Sequence, residues 1–183
     1  MPFPKMVRAF ILFSIAALLA GCTTMSEDPR ARTPGKVMDD QGLEWEIGKD
    51  IRGADPGFAS SNITVVSYNG IVLLAGQVAT ESLKQIAGQR ATSFETVRAV
   101  HNELEIMAPL SMIARTNDSY LTTKIKSQMF LDNELVAGKI KVVTVNGVVF
   151  LMGLLPREEA DRAVEVARSV YGVQKIVKVF EYI

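Results

Sequence analysis

The 183 residues contain one cysteine, one histidine and one tryptophan. Cys22 therefore has no partner for an internal disulfide. His101, which falls mid-strand, has no second imidazole or thiol with which to build a zinc site or a nucleophilic dyad. No phosphate loop or dinucleotide fingerprint is present, and no pair of carboxylates stands in a recognisable catalytic setting. Glu158 and Glu159 open a helix, where carboxylates favour the helix dipole. The expectation is a protein without enzymatic activity, metal or cofactor. Excess charge is lacking too: 20 basic and 20 acidic residues cancel. Bulk charge therefore does not make the chain a nucleic-acid binder.

What is present begins with "MPFPKMVRAFILFSIAALLAG", residues 1–21. Lys5 and Arg8 precede an apolar run from Ala9 to Leu19, about 11 residues, too short to span a bilayer and typical of a signal-peptide core. Leu19-Ala20-Gly21-Cys22 resembles the lipobox of bacterial lipoproteins, in which the cysteine is acylated and becomes the new N-terminus. Cys22 is thus the expected lipidation site, and several acyl chains there give stable anchoring. Thr23, rather than Asp, after the cysteine favours the outer membrane by resemblance to Gram-negative sorting rules. Residues 22–39 are rich in Pro, Gly, Ser, Thr and mixed charge, without an apolar period, and read as a flexible tether.

The rest of the chain is a repeat. "NITVVSYNGIVLLAGQVATE" from Asn62 and "KIKVVTVNGVVFLMGLLPRE" from Lys139 align without a gap, Asn69 on Asn146 and Gly76 on Gly153. Each has two β-rich strands around an Asn-Gly pair, Asn69-Gly70 and Asn146-Gly147, the signature of a type I′ hairpin turn. Gly70 and Gly147 are turn glycines; Gly76 and Gly153, at the ends of the second strands, allow a positive φ or a close helix–strand approach. A helix follows each hairpin, from Thr80 and from Pro156, and a third strand follows each helix, from Val97 and from Val173. Ahead of each hairpin lies another helix, with core stripes Leu43, Ile47, Ile51 and Leu121, Ile125, Met129 at helical spacing. Each copy reads α-β-β-α-β. The fold class is α+β: two tandem domains, each with two helices on one face of a three-stranded mixed sheet. The expected boundaries are 40–108 and 118–183, joined by a linker over 109–117 short enough to let the domains pack together.

The pattern V-x-x-x-G-x-V-x-L-x-G occurs at Val66, Gly70, Val72, Leu74 and Gly76, and again at Val143, Gly147, Val149, Leu151 and Gly153. With the α-β-β-α-β order it resembles the BON domain. A lipobox followed by two such units is similar to the dual BON-domain outer-membrane lipoproteins. That resemblance implies a lipid-anchored protein facing the periplasm, binding anionic phospholipid through the first helix of its second domain. It also implies support of envelope integrity and association with division sites.

That helix is "NDSYLTTKIKSQMFLDN", Asn117 to Asn133, and it has more apolar residues than one buried face needs. At about 100° per residue from Tyr120, the core stripe falls between about 100° and about 180°. On the same wheel Tyr120, Lys124 and Leu131 cluster between about 0° and about 40°, Gln128 borders both faces at about 80°, and Phe130 lies at about 280°. The first copy has Gly42, Glu46 and Gly53 where the second has Tyr120, Lys124 and Leu131, so the cluster belongs to the second domain and not to the fold. Either Tyr120 and Leu131 pack on the other domain or on a neighbouring loop, or the helix lies in a membrane interface with Tyr120, Lys124, Gln128 and Leu131 as contacts. Residues 118–183 hold nine basic and eight acidic side chains, residues 40–108 five and nine, so the second domain is better suited to an anionic surface of phosphatidylglycerol or cardiolipin. An envelope protein docking on the same face is the alternative partner. Trp45, off the core stripe of the first helix, is expected at the interdomain contact, exposed, or at a partner site.

Overall fold

Residues 32–108 and 112–183 are described by a computed structural model. Cys22, the signal segment 1–21, the tether up to residue 31 and the linker residues 109–111 lie outside the described residues.

Each copy has the expected order. In the first, α1 (Pro34–Ala54) precedes the hairpin of β1 (Asn62–Tyr68) and β2 (Ile71–Val78); α2 (Glu81–Thr92) and β3 (Ala99–Ile106) follow. In the second, α3 (Met112–Leu131) precedes β4 (Lys141–Val145) and β5 (Val148–Leu155), then α4 (Arg157–Arg168) and β6 (Lys175–Tyr182). Both sheets are mixed, with the second strand central: β1–β2 and β4–β5 are antiparallel, β2–β3 and β5–β6 parallel. Asn69 and Asn146 have φ of 51° and 53°, followed by Gly70 and Gly147 at 77° and 71°, the two positive-φ residues of a type I′ turn.

Two helix starts lie earlier than the periodicity suggests. Thr33 caps α1, its hydroxyl accepting from the Lys36 amide, and Pro34 occupies the first turn. Residues 34–39, read as tether, are therefore helical, because a cap followed by proline preorganises a helix even without an apolar stripe. Likewise α3 begins at Met112, so 112–117 belong to the helix rather than the linker. Pro156 caps α4 instead of opening it.

The central strands decide the architecture. Ile71–Val78 is buried at every position, and Phe150, Leu151 and Met152 of β5 are buried on consecutive positions. One face of each sheet meets its own helices: Val72, Leu74 and Val78 with Leu43, Ile47 and Ile51; Val149, Leu151 and Leu155 with Leu121, Ile125 and Met129. The opposite faces form a third core, in which Tyr68, Ile71, Leu73 and Ala75 join Phe150, Met152 and Val179. The order of layers is helices, sheet, sheet, helices, and residues 32–183 make one compact unit. Polar contacts cross the seam: Lys141 Nζ to Glu44 Oε1 at 2.6 Å, Tyr68 Oη to the Lys139 carbonyl at 2.9 Å, and a two-pronged Arg98–Glu181 pair.

Gly76 and Gly153 are sixth of eight residues in their strands rather than strand-terminal. Gly76 has φ +132°, and a methyl group there would lie 2.0 Å from the Asn62 carbonyl oxygen. Gly153 has no positive φ; its lack of a side chain leaves room for the Lys139 carbonyl, 2.8 Å from where a Cβ would sit. Gly76→Ala is expected to destabilise by about 3 kcal/mol or more, from strain plus clash, measured as a lower urea midpoint.

Candidate functional site

In both copies an aspartate on the first helix holds the hairpin turn. Asp118 accepts from the amides of Asn146 and Gly147, both at 2.8 Å. Asp40, its equivalent in the first copy, accepts from Asn69 N at 3.0 Å, Gly70 N at 3.2 Å, the Ser67 hydroxyl at 2.6 Å and Arg32 at 3.2 Å. These aspartates orient α1 and α3 on their sheets. Neither was singled out from the sequence, although each stands three residues ahead of the first core residue of its helix.

Burial pushes the Asp40 carboxyl upward, but the hydrogen bonds from Ser67, Asn69, Gly70 and Arg32 outweigh it and hold the group below its ordinary value. A depressed folded pKa stabilises fully above the unfolded value, about 3.9, and that stability is lost as pH falls through the folded value. Asp40→Asn is expected to cost about 1–3 kcal/mol at neutral pH and to flatten the fall in stability below about pH 4, read by urea titrations at several pH values.

With Asp118 fixing its roll, α3 turns Leu121, Ile125 and Met129 inward, each no more than 1% exposed. Tyr120 is 57% exposed, Phe130 81% and Leu131 77%. They do not pack on the other domain or on a loop. Lys124 reaches back along the helix, its Nζ 3.3 Å from the Tyr120 hydroxyl and 5.6 Å from the ring centre, so cation and aromatic form one amphipathic unit. Gln128 is half-buried and faces α4, its Oε1 accepting from the Ser169 hydroxyl at 3.3 Å. It edges the surface rather than standing in it.

The structure adds Phe130 to this surface and leaves Tyr171 exposed in a neighbouring turn. Phe130 is the most exposed of the three apolar helix residues. The core stripe centres at about 140° on the wheel, so the outward direction, at about 320°, lies between Phe130 and Tyr120. Tyr171, 96% exposed, sits in the turn after α4 beside Gly172, which faces Leu121. The loop behind Leu131 is pinned: Arg162 pairs with Asp132 at 2.9 Å, Glu134 at 3.3 Å and Glu165 at 3.1 Å. The Glu134 amide is the main cause that lowers the Asp132 pKa, with Arg162 adding to it.

The electrostatics of α3 are one-sided. Its basic residues are Arg115, Lys124 and Lys126, all exposed; its one acid, Asp118, is buried against the turn. By contrast α1 has five acids and three bases. Trp45, 62% exposed on α1 with Lys49 Nζ 5.1 Å from its ring centre, lies outside the core shared by the two sheets. It is not an interdomain residue. Among the described residues no cluster of His, Cys, Asp and Glu could hold a metal ion, and no helix is long and apolar enough to cross a membrane.

The model of the BON domain matches residues 39–108 and 117–183. The outer membrane lipoprotein DolP of Haemophilus influenzae is 36% identical over 177 residues, covering 95% of this chain and 91% of that protein. A 21 kDa hemolysin of Actinobacillus pleuropneumoniae is 38% identical, covering 89% of this chain and 83% of that one. Osmotically-inducible protein Y of Escherichia coli is 27% identical over 78% of this chain and 72% of its own length.

Proposed function

We propose, for a chain that belongs to the BON-domain family and whose relatives include an outer membrane lipoprotein, that it is held at the outer membrane by lipid on Cys22. From there it binds anionic phospholipid on the periplasmic side through the outer face of α3, in a role that supports envelope integrity, with division sites as one place of action. The relatives' names are not those of enzymes, and binding is the activity assigned here. The observation that carries this is the pairing on α3 of three exposed apolar side chains with exposed charge of positive sign alone.

The magnitudes suit a tethered contact. Each cation near an anionic leaflet contributes about 1 kcal/mol. Phe130 and Leu131 add a fraction of the about 1.5–3 kcal/mol that full burial of each would give. These sums are comparable only to the lower end of the cost of association from solution, about 4–15 kcal/mol. Anchoring by Cys22 makes the contact effectively intramolecular and raises its occupancy.

Mature unlipidated chain, residues 23–183, titrated with phosphatidylglycerol and with phosphatidylcholine vesicles tests the reading. Binding is expected to favour phosphatidylglycerol, to drop severalfold with Tyr120→Ala, and to weaken at high salt as the screening length shrinks from about 10 Å at 0.1 M to about 3 Å at 1 M. Binding indifferent to lipid charge and to Tyr120 would contradict it. Crosslinks from Tyr120 in cells that go to one protein regardless of lipid composition would favour an envelope protein on the same face.

A further inference from the structure

We propose that the chain associates head to tail with itself, the Tyr120–Lys124–Leu131 stripe of α3 on one molecule seating on the Gly42–Glu46–Gly53 flank of α1 on the next. The occupant of that flank is a second molecule of this chain. The association is independent of the lipid reading, although it uses the same side of α3.

Two glycines of α1 have no use in the fold. Glycine is a poor helix former, and neither Gly42 nor Gly53 has the positive φ that would require it. A Cβ at either position would meet nothing within 4 Å. Both open on clefts instead. Gly42 borders one of about 790 Å³, with Met38 and Leu43 among its walls. Gly53 borders another of about 540 Å³, with Trp45 and Phe94 among its walls. Glu46 is a wall of both, so the two clefts meet along one flank of the helix.

The internal repeat identifies what fits there. The second domain has Tyr120, Lys124 and Leu131 where the first has Gly42, Glu46 and Gly53. Positions i, i+4 and i+11 of a helix fall within about 40° of one another, on a stripe about 16 Å long. The stripe of α3 thus has two projecting side chains with a cation between them. That of α1 has two gaps with a carboxylate between them, at the same spacing. Laid parallel, α3 puts Tyr120 over Gly42, Lys124 beside Glu46 and Leu131 over Gly53. Laid antiparallel, with Tyr120 over Gly53 and Leu131 over Gly42, it brings Lys124 onto Lys49. Like charges oppose that second seating, and opposite charges select the first.

The groups involved are available. Glu46 is exposed and has no hydrogen bond or ion pair among the described residues. Lys124 is exposed, and its Nζ donates only to the Tyr120 hydroxyl beside it among the described residues. Trp45, exposed at the rim of the cleft over Gly53, is a residue type that anchors protein interfaces. A molecule cannot fill its own flank, because α1 and α3 lie on opposite outer layers of the stacked sheets. The two faces differ, so pairing leaves one of each free and the contact extends rather than closing as a dimer. A stripe this short makes a weak interface, and confinement to one membrane surface by Cys22 raises its occupancy. A molecule whose α3 is seated on a neighbour withholds that stripe from the lipid.

Sedimentation of the unlipidated mature chain, in the absence of lipid, tests the association. The unmutated chain is expected to gain average mass as its concentration rises. Gly42→Leu with Gly53→Leu fills the gaps, and Lys124→Glu sets a carboxylate against Glu46; each variant is expected to remain monomeric. Their equimolar mixture is expected to form a one-to-one pair and nothing larger, because the intact α3 of one meets the intact α1 of the other. Glu46→Lys added to Lys124→Glu is expected to restore association in a single chain. Urea midpoints no lower than that of the unmutated chain show that the variants fold. Constant mass of the unmutated chain at every concentration would overturn the proposal. So would association that survives in both variants, or a mixture of the two that stays monomeric. None of these outcomes involves lipid, so the vesicle titration stands or falls separately.

Discussion

Leu73→Asp is expected to unfold both halves of the chain together. Leu73 is fully buried on the face of β2 turned away from its own helices, in one cluster with Phe150, Met152 and Val179 of the second copy. Truncating a buried leucine costs about 2–5 kcal/mol. A carboxylate with no partner in that seam costs several more or must take up a proton. Domains have about 5–15 kcal/mol of stability in total, and here one seam serves both sheets. Urea denaturation followed by circular dichroism should show a single transition in the unmutated chain and little native signal in the variant. Two separate transitions, with the second copy melting at an unchanged midpoint, would mean that the domains are merely neighbours.

The double variant Phe130→Glu, Leu131→Glu is expected to lower affinity for phosphatidylglycerol vesicles by at least about tenfold and leave stability unchanged. Both side chains are more than three-quarters exposed, and substitutions at such positions usually stay within about 0.5 kcal/mol. Their loss removes the largest apolar contribution of the outer face. The two new carboxylates also offset two of the three cations of α3, each of which contributes about 1 kcal/mol at an anionic leaflet. The unchanged melting curve separates this result from the Leu73 variant. Unchanged vesicle binding would place the lipid contact elsewhere.

Much of the fold was legible in the sequence because its signals are local. The Asn-Gly pairs specify their turns, and Leu43, Ile47, Ile51 and their counterparts specify a buried helix stripe. The face of each sheet away from its helices was harder. "IVLLAGQV" and "VVFLMGLL" are apolar at odd and even positions alike, the mark of a strand covered on both sides. What covers the second side is a long-range fact that no local pattern names. Trp45 shows the same limit: being off the core stripe left open whether the other domain or solvent met it.

The candidate site was legible where it depends on one helix. The wheel separates Tyr120, Lys124 and Leu131 from the core stripe. It also put Phe130 apart, because angles were compared with Tyr120 rather than with the outward normal, which lies between them. Tyr171 comes from a turn in another element and has no place on that wheel.

The chain has a single cysteine, so the unlipidated form beginning at Thr23 has none and one can be placed at will. A spin label at Ser127→Cys, on the outward face of α3, and another at Gln89→Cys, on the exposed face of α2, measure depth on phosphatidylglycerol vesicles through collisions with oxygen and with an aqueous nickel chelate. Contact through α3 predicts that the label at 127 gains oxygen accessibility and loses the chelate on vesicle addition, while the label at 89 stays aqueous. Equal aqueous exposure of the two labels on bound protein would contradict it.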